Sequence, residues 1–257
     1  MLFYRAALDL SRPTLTFVTG LVRDHRDQIG SRWRALSPER QALLVLVHLR
    51  RNDTFARLAA AFGIGAATAH RYVTEFIALL ADQAPDLREA IRTCQRKAFV
   101  ILDGTLAPID RLSGPNDRLY YSGKHHRHGV NIQFLTDPNG ELIWASPTLP
   151  GSTHDLTAAR THGIIHALTS RAIACYADKA YVRADGAIGT PYKRKKRRKP
   201  GKRKKRRKPG KRKKLFNQYH AKVRALGEQG AAILKGWHIL RKARCSPSLQ
   251  AAADRGM

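Results

Sequence analysis

Acidic residues are scarce: 19 Asp and Glu stand against 48 Lys and Arg in 257 residues, a formal charge of +29. A field of that size favours a polyanionic partner such as nucleic acid. Cysteine is also sparse. Cys94, Cys175 and Cys245 lie far apart with no paired spacing, which excludes a disulfide framework and a zinc knuckle. No apolar run approaches the length of a membrane-spanning helix, so a membrane is the weaker polyanion candidate. The opening stretch MLFYRAALDL carries Arg5 and Asp9 where a signal peptide needs apolar residues, so a cytoplasmic protein is expected. Aromatics make up only 7%, yet hydrophobic residues reach 43%, enough for a packed core and too many for general disorder. The length suits one full domain and a smaller one.

The stretch from Ala98 to Asp178 organises the rest. AFVILDGT reads as an apolar strand ending on Asp103; NIQFLTD (Asn131 to Asp137), ELIWASP (Glu141 to Pro147) and RAIACYAD (Arg171 to Asp178) read as further strands. The turn at Pro138 to Gly140 makes the second and third a hairpin. A helix from His154 to Leu168 is the crossover that a parallel fourth strand requires. Asp103 and Asp178 then close two strands of one sheet, where ligands bind, and form a candidate metal site. Between the first strands, Lys124, His125, His126, Arg127 and His128 are packed together. Successive residues of an extended segment point to alternate faces, so these histidines form a basic lip rather than converge on one ion, and Lys124 is a candidate phosphate clamp. Asp155 falls in the first turn of the crossover helix, where the helix dipole favours an acid; it is also the chief rival to Asp178 as a metal ligand.

Before this stretch the pattern is helical. Ser37, Pro38 and Glu39 signal the start of a core helix through Arg51. A short helix (Thr54 to Phe62), the turn Gly63-Ile64-Gly65 and a second helix (Ala66 to Leu80) outline a helix-turn-helix at about 54–80. Ala69, Val73, Phe76, Ile77 and Leu80 form the second helix's buried stripe; Ala67, Thr68, His70, Arg71 and Thr74 face outward toward a DNA groove. Pro85 ends the unit and a connector helix follows (Asp86 to Gln95). A helical DNA-binding domain at 1–90 and an α/β domain at 91–257 are expected.

From Lys193 to Lys214 the chain reads KRKKRRKPG twice and then KRKK. With only Lys, Arg, Pro and Gly, nothing can be buried, and a disordered basic insertion is expected at 193–214. It holds 18 of the positive charges, and without it the chain is still at +11. A last helix, from about Asn217 to Leu240, carries Arg224, Glu228 and Lys235 at spacings of four and seven, within roughly 40° of one another on one face.

Taken together, these residues resemble the DDE transposases of bacterial insertion sequences over nearly the whole chain. The D-G-T context of the family's first acid is matched by Asp103, Gly104 and Thr105, and its A-D-K-x-Y by Asp178, Lys179 and Tyr181. The R-x3-E-x6-K helix is matched by Arg224, Glu228 and Lys235; YSGKHHRHGVN and LPGSTHDLTAAR are similar to family members as well. Ala180 stands where the family usually has glycine, and Ala221 where it often has tyrosine.

The resemblance implies an RNase H-like mixed-sheet catalytic domain behind the helix-turn-helix. It implies a metal site of Asp103, Asp178 and Glu228 with two Mg²⁺ or Mn²⁺ ions, and Arg224 and Lys235 joining Lys124 on phosphate. The implied partners are double-stranded DNA, as transposon terminal inverted repeats and as target, bound by a homodimer in the bacterial nucleoid, with no membrane. Two other classes share the features: an inactive transposase-derived DNA-binding protein, and a polyanion binder acting through the basic tract.

Overall fold

The computed structural model describes residues 10–31, 33–110, 117–184, 186–192 and 210–242. They divide into two units, one running to Ala84 and rejoined by Gly236–Lys242, the other from Pro85 to Lys235.

The first unit is helical. α1 (Arg12–Gln28) is capped by Ser11 and α2 (Pro38–Arg51) by Ser37, each with proline in its first turn. Ala42, Leu44, Val45, Leu46 and Val47 are all buried, so α2 is apolar around most of its circumference and occupies the centre of the unit. α3 (Phe55–Phe62) and α4 (Ala66–Asp82) pack on it. Gly63, at φ +68°, ends α3 in the left-handed conformation that glycine adopts without strain, and Gly65 then opens α4. The C-terminal return is fastened by Arg50 over the Trp237 ring at 4.1 Å and by Asn52 Nδ2 donating to the Lys242 carbonyl.

The second unit begins with α5 (Leu87–Cys94), opened by a capping box of Asp86 and Glu89. β1 (Val100–Pro108) follows, then α6 (Asp117–Tyr120), β2 (Tyr121–Ser122) and β3 (Arg127–Thr136). Next come β4 (Leu142–Ala145), β5 (Leu149–Pro150), α7 (Asp155–Thr161), α8 (Ile164–Thr169), β6 (Cys175–Ala177) and β7 (Ile188–Gly189). The strand order is β2-β3-β1-β6-β7, with β4 and β5 also on β3. β1 is antiparallel to β3 and parallel to β6, the mixed sheet expected of an RNase H-like core.

Period-2 alternation assigns the two faces of the sheet. Val100, Leu102, Leu135, Cys175 and Ala177 join Ile91, Ala159, Ile164 and Leu168 in one core on the α5, α7 and α8 side. Ile101 and Phe134 face the other way, toward α9 (Lys211–Gly236), where Gly227 and Gly230 let the helix backbone approach closely.

Three sequence expectations change. β1 does not stop at Asp103 but runs on to Pro108, because β3 continues to pair with it after β6 has ended. The crossover is two short helices, broken at His162-Gly163, where Gly163 takes φ +71°. Lys211–Lys214 belong to α9 rather than to a disordered tract, while residues 193–209 lie outside the described residues. Lysine and arginine are good helix formers, and the first turns are fastened at Tyr192: Asn217 exchanges two hydrogen bonds with its backbone, and Lys213 lies over its ring.

Candidate functional site

The β1–β6 register brings the two strand acids together. Val100 pairs with Cys175 and Leu102 with Ala177, so the next residues, Asp103 and Asp178, are neighbours at the point where β6 ends. By alternation both follow Ile101 and Tyr176 onto the α9 face. Burial raises the Asp103 carboxyl above the usual range; the Gly104 N–H opposes this, Asp178 adds to it, Arg224 opposes it and Asp155 adds a last contribution. Asp103 Oδ1 accepts from Gly104 N at 2.9 Å, and Asp178 Oδ1 from Ala180 N at 2.6 Å, capping a single 3₁₀ turn (Lys179–Tyr181). Position 180 supplies that N–H, which alanine donates as glycine would, and the Ala180 methyl packs against the core of the unit.

α9 crosses this face. Arg224 is half-buried and its charge reaches Asp103. Glu228 and Lys235, further along the helix, are exposed; the Lys235 charge is felt at His125. Among the described residues no three His, Cys, Asp or Glu side chains are grouped closely enough to hold one ion. Asp103 and Asp178 nevertheless offer hard oxygens side by side beyond the end of β6, the crevice position of an open sheet, where the Lys124 charge reaches both, and Mg²⁺ takes few protein carboxylates and keeps several waters. The pair fits such an ion.

Asp155 reaches the site from the other face. It opens α7, is only 8% exposed, and both of its oxygens are engaged: Oδ2 by Lys124 Nζ at 2.8 Å and Oδ1 by Asn131 Nδ2 at 2.9 Å. Lys124 lies in the turn between β2 and β3 with its side chain 58% exposed. Behind Asn131, Gln133 Nε2 donates to Asn131 Oδ1 at 2.7 Å and Tyr181 Oη donates to Gln133 Oε1 at 2.6 Å. Sequence reasoning missed Asn131 and Gln133. Their signal was two amides at alternate positions of the otherwise apolar run Val130–Leu135. His128 turns away, its Nε2 2.9 Å from Asp117 Oδ1, and His126 takes φ +52° in the turn.

On α4 of the helical unit, Ala67, His70, Arg71 and Thr74 are exposed and Thr68 is half-buried. His70 also meets the Phe55 ring edge-on at 4.9 Å, which ties α4 to α3. The buried stripe differs from expectation at Ile77, which is 41% exposed. Tyr72 fills the interior instead, its hydroxyl accepting from Ala35 N at 3.0 Å.

Residues 102–254 match the family described as DDE superfamily endonuclease, and residues 34–86 match the helix-turn-helix of DDE superfamily endonuclease. A Xenopus laevis protein named "Putative nuclease HARBI1" is 24% identical over 157 residues, which are 56% of this chain and 45% of that protein. The chain thus spans less than half of that relative's length. No solved structure matches it. No described helix is long and apolar enough to cross a membrane.

Proposed function

We propose, because the chain belongs to the DDE superfamily endonuclease family, that it binds duplex DNA through its helix-turn-helix and cuts phosphodiester bonds at the Asp103–Asp178 crevice. The matching relative described above is from an animal, so the narrower expectation of a bacterial insertion sequence reduces to a transposase-like chain. The observation that carries the reading is the Leu102–Ala177 register, which makes two acids adjacent on the face that α9 crosses with Arg224.

In this reading Asp103, Asp178 and Glu228 would hold Mg²⁺ or Mn²⁺. When bound there, such ions would supply activation of the attacking oxygen and stabilisation of the leaving one. Arg224 and Lys235 on α9 and Lys124 on the β2–β3 turn hold the phosphates on either side of the cut bond. Thr68, His70, Arg71 and Thr74 provide sequence preference for an element's terminal inverted repeats. Hydrolysis at the element's end frees a 3′-hydroxyl, which then attacks target DNA within a homodimeric complex and leaves no protein–DNA covalent bond.

A second reading, a DNA-binding protein without cleavage, is favoured by one observation: exposed Glu228 is not grouped with the two strand acids. One assay separates the two. An end-bearing duplex is incubated with Mg²⁺ and the parent, Asp103→Asn or Glu228→Gln protein. Cleavage by the parent alone supports the nuclease; binding without cleavage by all three supports the second reading.

A further inference from the structure

The strand acids and Asp155 occupy opposite faces of β1. The Cβ direction of Gly104, one residue past Asp103, points at Gln133 Nε2 (2.6 Å), Asp155 Oδ1 (2.8 Å) and Tyr181 Oη (3.1 Å). Gly104 is therefore the position at which the backbone must lack a side chain for this cluster to close up against it. Asp103 points the other way, toward α9.

Asp155 also stands at the end of a continuous chain of hydrogen bonds. It starts at the fully buried Tyr181 and passes through Gln133 and Asn131 to Asp155 Oδ1; the second oxygen takes Lys124. Each donor in this chain meets an acceptor, and a buried network that is fully paired is rigid. Its one exposed member is Lys124, whose ammonium has three N–H donors and gives one to Asp155.

From this geometry we infer that Asp155 is a positioning residue and not a metal ligand: anchored to Tyr181 through Asn131 and Gln133, it fixes Lys124 at the rim of the crevice, where the remaining ammonium donors grip a DNA phosphate. The inference rests on the nuclease reading for the identity of the crevice. Its sign is unusual. Removing an acid near a DNA path ordinarily tightens binding by relieving repulsion, whereas here it loosens binding by releasing the lysine.

The test uses the full chain and a duplex, in chelator, over a range of salt. Lys124→Met flattens the log-log salt dependence of binding by about 0.9, the value of one phosphate contact. Asp155→Asn flattens it in the same direction, because Asn131 and Lys124 donate to different carboxylate oxygens and an amide puts a donor in place of one of them, and the double variant is no flatter than Lys124→Met. Tighter binding by Asp155→Asn, or additive effects in the double variant, overturns the inference.

A parallel Mn²⁺ titration, without DNA, compares the parent with Asp103→Asn and Asp155→Asn. Asp155→Asn keeps the parent's affinity within about twofold, whereas a loss of tenfold or more, the scale of a disrupted metal site, makes Asp155 a ligand. If Asp103→Asn also leaves Mn²⁺ binding unchanged, the proposed metal site fails, while the salt data still judge Asp155. Lys124→Met, on an exposed side chain, is the arm least prone to misfold. It deprives a buried carboxylate of its cation and lowers the melting temperature; an unchanged melting temperature refutes the pairing.

Discussion

Gly230→Ala should separate folding from catalysis. A Cβ at Gly230 falls 2.3 Å from Thr136 Cγ2 and 3.3 Å from the Phe134 ring, and one at Gly227 falls 2.8 Å from Ile101 Cγ2. Carbon atoms rest at about 3.5–4.0 Å, so Gly230→Ala must open the α9–sheet contact by about 1.2–1.7 Å along that direction. Thr136 cannot easily yield, since it is fully buried and β-branched. Replacing a helical glycine by alanine gains about 1 kcal/mol, while overpacking costs about 1–3 kcal/mol. The net is a loss of about 0–2 kcal/mol, which the fold survives. The chemistry is less tolerant, because α9 carries Arg224 and Glu228, and a displacement of about 1 Å at a reacting centre can cost about a hundredfold in rate. The assays are circular dichroism, thermal melting and Mg²⁺-dependent strand cleavage. Gly20→Ala in α1 is the control: nothing lies within 4 Å of its Cβ, so it should stabilise by about 0.5–1 kcal/mol with cleavage unchanged. If Gly230→Ala cleaves at the parent rate, or gains stability as Gly20→Ala does, the close seating of α9 has no part in placing the site.

Arg71→Ala should weaken protection of a cognate DNA end by about 1–3 kcal/mol if Arg71 reads a base edge; a footprint equal to the parent's makes α4 structural only. Asp103→Asn tests the electrostatic strain of the crevice. Because burial, reinforced by Asp178, raises the Asp103 carboxyl, the folded protein holds that proton more tightly than the unfolded chain does. The group's stabilising contribution is therefore present at acid pH and lost as pH rises through the folded value. In chelator, Asp103→Asn should melt above the parent at pH 7, with the gain shrinking toward pH 4; a lower melting temperature at pH 7 contradicts this. Deleting 193–210 should flatten the salt dependence of duplex binding and spare cleavage at saturating DNA, since the Asn217–Tyr192 bonds already hold the two ends of the excursion together. An unchanged slope would show that the tract does not meet DNA.

Much of the fold was legible because its signals are local. The Ser37-Pro38 start, the glycine-bracketed turn before α4 and the Pro138 to Gly140 hairpin each depend on side chains within a few positions. The misreadings arise from long-range pairing. Nothing near Asp103 reveals that β3 continues alongside β1 through Pro108, so an apolar run that stops at an acid looked like a strand that stops there. Gly163 did carry the break in the crossover, but its neighbours kept a helical pattern on both sides. Tyr72 escaped notice because an amphipathic ring is ambiguous between core and surface, and Ile77 was assigned to the core by spacing alone. In the candidate site, the acids could be named from strand ends and motif. The Asn131–Gln133–Tyr181 chain could not, since it depends on which face of β3 meets which face of β1.

The central claim is that Asp103 and Asp178 form one cation-dependent centre for cutting DNA. Its most direct measurement is strand cleavage of an end-bearing duplex by the parent, Asp178→Asn and Asp155→Asn, each with Mg²⁺ and with chelator, at protein concentrations that saturate the DNA. The account predicts cleavage by the parent only with Mg²⁺, none by Asp178→Asn, and reduced but measurable cleavage by Asp155→Asn. Cleavage retained by Asp178→Asn and abolished in Asp155→Asn would contradict it, and would move the second acid of the site from the end of β6 to the start of α7.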